Sequence, residues 1–152
     1  MNNKITNSPL FPLSAHILPG GRMALRIFEP RYVRMVKQAC AAQTGFVICM
    51  YNTQGDKNQN SHIHPSGTYV TVVDFDLLED GLLGITVEGH QCVRVSSVSV
   101  ESDELRVGQC HWLNSWPKVE CVPEQDVINT RLMDVFDKYP EIQQLYKTTH
   151  FD

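Results

Sequence analysis

No uninterrupted run of about 18 apolar residues occurs anywhere in the sequence, so nothing in it reads as a transmembrane helix. The first residues, Met1-Asn2-Asn3-Lys4-Ile5-Thr6-Asn7, lack the apolar stretch of a secretory signal, and the chain is expected to be cytoplasmic. No C-x-x-C pair is present among the five cysteines Cys40, Cys49, Cys92, Cys110 and Cys121. Their odd number and wide spacing suit reduced core thiols rather than a disulfide framework or a structural zinc site. There is also no G-x-x-x-x-G-K-[ST] sequence. The backbone cradle and the lysine that hold a nucleotide's phosphates are therefore missing, and no cofactor is expected. An excess of positive charge is lacking too: the net charge is −4, which disfavours phosphate-backbone binding as the main function.

What is present is enough for a core. Hydrophobic residues make up 42% of the 152 residues and charged residues 20%, a composition that folds rather than stays disordered. With no internal repeat and no low-complexity tract, the reading is one domain over 1–152. It divides into a β-rich part to about residue 115 and a helical part over about 123–147.

Periodicity places the elements. Pro9-Leu10-Phe11-Pro12-Leu13 is a short apolar strand that Pro12 restricts to an edge or end of a sheet. After the turn Pro19-Gly20-Gly21, Met23–Phe28 forms a strand with Leu25 and Ile27 on one face. Pro30 fits the first position of a helix, where a missing N–H costs nothing. Tyr32, Val33, Val36, Ala39 and Cys40 form its apolar stripe, Arg31, Arg34, Lys37 and Gln38 its polar face, and Gly45 its stop. Phe46–Tyr51 reads as a buried strand.

Asn52–Ser66 is polar apart from Ile63 and is expected to be an exposed loop from which Asp56–His62 could be deleted without loss of the fold. Thr68–Leu77 carries Tyr69, Thr71, Val73, Phe75 and Leu77 on one face, and Glu79-Asp80-Gly81 turns the chain into the next strand. There Ile85, Val87, Val93 and Val95 share one parity but Val98 and Val100 the other, so a bulge is expected near Ser96-Ser97. Such a bend lets a small sheet curl into a barrel. Leu105–Leu113 adds another strand. Pro123 then opens a helix striped with Ile128, Leu132, Val135, Phe136 and Tyr139, which Pro140 ends before a short last helix over Glu141–Lys147.

Three ordered pieces, Pro9–Leu13, Leu18-Pro19-Gly20-Gly21 and Leu25-Arg26-Ile27-Phe28-Glu29-Pro30-Arg31-Tyr32, resemble the opening signature of the Lon substrate-binding domain family. Gly67-Thr68, the Asp80-Gly81 turn and Ile85-Thr86-Val87-Glu88-Gly89, leading to Arg94, add a second match; where family strands often carry Arg-Phe, this chain has Cys92-Val93. The resemblance implies a mainly β, α+β fold, namely a PUA-like pseudo-barrel followed by C-terminal helices. It further implies a non-enzymatic polypeptide-binding module, lacking the ATPase and the serine–lysine protease domain of the full enzyme. The implied partners are unfolded or flexible polypeptides and a protease or chaperone machine; the chain's own apolar pattern gives no membrane, and its acidic balance disfavours nucleic acid. Two other readings compete: a nucleic-acid-binding PUA-like module, and a small hydrolase built on a Cys and His pair.

Candidate sites divide by what they can do. Glu29 and Arg31 flank Pro30 and could present charge to a ligand, although a carboxylate near a helix start and an arginine tying a corner are the structural expectation. His62 and His64 have the spacing to share a metal on extended chain but no recognisable third ligand, so no metal is expected. His16, His90 and His111 could activate Cys92 or Cys110 only if folding joined them, and buried thiols are the plainer reading. Leu10, Phe11 and Leu18 in the early turns, with Trp112 and Trp116 after the last strand, are the exposed apolar candidates. From these sets the polypeptide-binding residues expected are Phe11, Leu18, Arg31, Trp112 and Trp116.

Overall fold

A computed structural model describes residues 4–120 and 122–145. The chain forms two compact units divided after Ser115. The first holds six strands, β1 (Ile5–Leu13), β2 (Arg22–Ile27), β3 (Phe46–Tyr51), β4 (Ile63–Leu77), β5 (Leu83–Val100) and β6 (Arg106–Trp112), with helix α1 (Pro30–Ala42) between β2 and β3. The second holds α2 (Asp126–Lys138) and the one-turn α3 (Pro140–Gln143). The expected last helix reached Lys147, and that end of it lies outside the described residues, as does Cys121.

The strand order is β2-β5-β4-β3-β1-β6, and β5 also pairs with β6, which closes five strands into a barrel. β5 manages this by being long: β2 pairs along Leu83–Glu88, β6 along Val93–Val100. Closure requires β5 to bend. Its register against β6 shifts between Ser96 and Ser99, with Ser97 in the left-handed region at φ 48°, where the slip in apolar parity had predicted a bulge. Pro12 sits where β1 pairs only with β3, because β6 covers Ile5–Pro9, so its missing N–H removes no ladder bond on the other side.

One core cluster packs α1 against the barrel through Phe11, Ile27, Tyr32, Met35, Val36, Phe46, Ile48, Val70, Ile85, Val87 and their neighbours. A second joins Leu10, Val47, Cys49, Ile63, Val93, Val95 and Cys110. Cys40, expected on the buried stripe of α1, is exposed, and Met35 takes the place in the core. Gly45 does not stop α1. The helix ends at Gln43, left-handed at φ 54°, whose backbone N–H reaches the carbonyls of Ala39 and Cys40. Gly45 instead lets two backbones touch, since a Cβ there would lie 1.9 Å from the Val70 carbonyl oxygen.

The polar segment after β3 is more ordered than its composition suggested. β4 already begins at Ile63, which pairs with Tyr51, and the turn is closed by the Asn52 N–H on the His62 carbonyl at 2.6 Å. Asp56 Oδ1 accepts from the Asn58 N–H at the start of a single 3-10 turn, Lys57–Gln59. Asn60 Oδ1 accepts from Nε of the buried Arg106 at 2.8 Å, pinning the turn to β6. Removing Asp56–His62 therefore strips a buried guanidinium of a partner. Asn60→Ala should cost about 1–3 kcal/mol in denaturant unfolding, the usual penalty for orphaning a buried polar group.

Along α2 the apolar stripe is only partly buried: Phe136 is enclosed, whereas Ile128, Leu132, Val135 and Tyr139 remain exposed.

Candidate functional site

The alternating stripe on β4 leads to the largest difference between sequence and structure. Thr68 and Val70 are fully buried, so the core face of β4 has the parity opposite to Tyr69 and Thr71. A register shift against β5 between Val72 and Asp74 then changes the phase. Beyond it Phe75 pairs with Ile85 and Leu77 with Leu83, but the hairpin has run past the barrel. Phe75 is 70% exposed and Leu77 75% exposed. Alternation marked these residues as apolar but could not tell that the core had ended.

Two shallow clefts flank this hairpin. One, of about 390 Å³, is lined by Ala24, Arg26, Asp74, Asp76, Leu78 and Thr86 among others. The other, of about 420 Å³, lies between Ala39, Cys40, Gln43 and Thr44 at the end of α1 and Thr71–Phe75 of β4. Phe75 borders both. Phe28, 68% exposed, borders a third depression with Val33, Arg34 and Lys37 on α1.

Of the residues expected to bind polypeptide, the four in the first unit, Phe11, Leu18, Arg31 and Trp112, line none of these clefts. Phe11 is only 6% exposed, with its ring 4.4 Å from that of Tyr32 and 6.1 Å from that of Phe46, so it is core and cannot serve as a surface anchor. Leu10 is fully buried. Trp112 is half-buried against Tyr69, its Nε1 donates to Thr6 Oγ1 at 3.0 Å, and Lys4 Nζ lies 4.2 Å from its ring centre. Leu18 is exposed in the β1–β2 turn, and its carbonyl accepts from the Gly21 N–H. Trp116 is exposed as well.

Arg31 is engaged within the corner. Its Nε donates to Glu29 at 2.9 Å, its Nη1 to the Glu104 carbonyl at 3.1 Å, and its guanidinium lies 4.8 Å from the ring centre of Tyr32. Ile27 and Tyr32 point inward at the same corner, and burial pushes the Tyr32 hydroxyl up to about 12. On the polar face of α1, Arg34 bridges Glu101 and Asp103 and holds the Asp103 carboxyl below its usual range. Within the signature Leu25–Tyr32, Ile27, Arg31 and Tyr32 are thus engaged by the corner itself, whereas Phe28 is exposed.

Catalytic and metal constellations do not assemble among the described residues. Nε2 of His90 bonds Thr71 Oγ1 and that of His111 bonds Ser96 Oγ. Burial raises the thiols of Cys49 to about 12 and Cys110 to about 11, the reverse of what a nucleophile needs. Alkylation under native conditions at neutral pH should therefore modify the exposed Cys40 while sparing Cys49 and Cys110, as read by peptide mass mapping. Among the described residues no group of three or more His, Cys, Asp or Glu side chains is placed to hold a metal; His64 is exposed, and burial lowers the proton affinity of His62. No helix in this set is long and apolar enough to cross a membrane.

The family model for the substrate-binding domain of the ATP-dependent protease La (Lon) matches residues 7–151. The chain belongs to the Lon substrate-binding domain family. A Lon protease from Solibacter usitatus (strain Ellin6076) is 27% identical over 113 residues, which is 74% of this chain and 14% of that protein. The chain therefore spans about a seventh of the length of this curated relative. A crystal structure of a Lon N-terminal domain protein from Xanthomonas campestris aligns with a TM-score of 0.70 and 29% identity over 90% of this chain and 75% of that one. The N-terminal domain of Lon protease from the Mycobacterium avium complex shares the fold, with a TM-score of 0.58 over 95% of this chain and 76% of that one, at 10% identity.

Proposed function

We propose that the chain is a non-enzymatic polypeptide-binding module that holds unfolded or flexible segments weakly and with broad specificity, for a proteolytic or chaperone machine. The match of residues 7–151 to a substrate-binding domain carries this reading. The exposed apolar side chains of Phe28 and Phe75, which line open clefts, and those of Leu18 and Leu77 support it physically. Apolar surface of this kind gains from covering the apolar residues that an unfolded chain exposes and a folded one hides. Polar and acidic groups around it, among them Asp74, Asp76 and Arg26, keep the binding reversible rather than aggregating.

Titration by light scattering or labelled-protein anisotropy separates this from the rival readings. A permanently unfolded model protein should bind, and the same protein in its folded state should not. Equal binding of both states, or binding of neither, would remove the proposal.

A further inference from the structure

β4 loses one neighbour part-way along. Its pairing with β3 ends at Phe46↔Val70, while its pairing with β5 continues to Leu77↔Leu83. Among the described residues no other strand pairs with β4 beyond Val70. The hairpin closes through the Leu78 N–H on the Leu82 carbonyl. Alternation from that bond makes Leu77/Leu83 and Phe75/Ile85 the pairs without mutual hydrogen bonds, so Phe75 and Leu77 aim their backbone groups away from β5. The Phe75 N–H accordingly reaches no strand and is taken by the side chain of Asp74, Oδ1, at 2.9 Å.

This edge has two chemically distinct faces. Phe75 and Leu77 lie on one, and the exposed carboxylates Asp74 and Asp76 on the other. Beside it the cleft against the end of α1 leaves open space along Thr71–Phe75. The edge of β2 differs: its core face is buried at Ile27, and Arg22 and Arg26 are paired with Glu88 and Asp80. A second copy of the chain is a poor occupant of the β4 edge, because two such strands would set carboxylates against carboxylates.

We infer that the unpaired edge of β4, Val73–Leu77, takes up an extended polypeptide as an added strand, preferring segments in which apolar residues alternate with Lys or Arg. The inference rests on the polypeptide-binding reading and specifies its mode. The incoming backbone pairs with Phe75 and Leu77, displacing the Asp74 carboxylate from the Phe75 N–H, its apolar residues cover those two side chains, and its cations face Asp74 and Asp76.

The test uses a labelled seven-residue peptide alternating Val and Lys, its Val-Glu counterpart, and the Val-Lys peptide N-methylated at alternate residues in both phases. Anisotropy should show binding of the Val-Lys peptide, a preference of about tenfold over Val-Glu, and loss of binding for one N-methylated phase. Asp74→Lys with Asp76→Lys should reverse the charge preference, and Asp74→Asn with Asp76→Asn should erase it while leaving the circular dichroism spectrum unchanged. A preference unaltered in both double variants overturns the inference, as does binding indifferent to N-methylation in either phase. A dimer of the chain that Phe75→Lys dissociates also overturns it, by giving the edge to a second copy. Unfolded model protein measured in parallel separates the two levels. If wild type and both double variants hold it equally, polypeptide binding stands and this edge is not its site; if wild type does not hold it, the underlying reading fails.

Discussion

Ile27→Ala is expected to destabilise the chain by about 2–5 kcal/mol, the largest effect at the β2–α1 corner. Ile27 is 2% exposed and belongs to the cluster in which α1 meets the barrel. Removing its branched side chain loses burial and leaves a cavity where α1, which starts at Pro30, packs on the barrel. Arg31→Ala, four residues later, should cost about 1 kcal/mol. Its pair with Glu29 is partly exposed, and the guanidinium over Tyr32 adds a contribution of the size usual for accessible cation–π contacts. Chemical denaturation of both variants reads the difference directly. Binding of unfolded protein by the Arg31 variant should match wild type, because its hydrogen bonds are spent on Glu29 and the Glu104 carbonyl. Weakened binding with an unchanged melting transition would instead place Arg31 in the binding surface.

Gly45→Ala separates two roles for one residue by the sign of its effect. A glycine that merely follows a helix is improved or unaffected by alanine when its backbone angles allow, with a gain of about 0.4–1 kcal/mol from the unfolded chain. In this fold the added methyl meets the Val70 carbonyl oxygen at 1.9 Å and the Tyr69 ring at 2.9 Å, while the Gly45 N–H donates to the Tyr69 hydroxyl at 2.6 Å. Neither neighbour can swing aside, because Val70 is fully buried and pairs with Phe46 across the β3–β4 ladder. A loss of about 3 kcal/mol or more is expected, at or above the upper end of ordinary overpacking. Measured unfolding free energies and the dispersion of amide resonances would report both the loss and its spread into β3 and β4.

These two sites also show where sequence reasoning succeeds and where it fails. The corner was legible because each feature has a local cause: Pro30 suits a first helical turn, Ile27 follows strand alternation, and Tyr32 follows the helical period. The bend in β5 was legible for the same reason, since a bulge leaves a parity slip in the apolar pattern at Ser96-Ser97. Gly45 was misread because its constraint comes from Val70, a residue 25 positions away in a strand whose pairing the sequence does not display. Phe11 was read as a surface candidate because a short apolar strand beside prolines gives no sign of which face meets α1.

The candidate site was the least legible part. Phe75 and Leu77 continue an alternating stripe without interruption, and only the register shift after Val72 and the end of β3 leave them outside the core. Apolar pattern predicts a face, whereas exposure depends on how far the opposing layer extends. The polar segment after Tyr51 is largely exposed, as its composition implies, but it is not without long-range contacts. Its composition suggested dispensable loop, yet Asn60 serves a buried arginine on a strand distant in sequence.

Capture and release of an intact polypeptide is the measurement that bears most directly on the account. The immobilised chain is exposed to a labelled, permanently unfolded protein with and without ATP and magnesium, washed, eluted with mild denaturant, and the eluate is weighed by mass spectrometry. The account predicts retention in both conditions, at the same level, with the protein recovered at full length. Cleaved fragments, retention that depends on nucleotide, or no retention at all would contradict it.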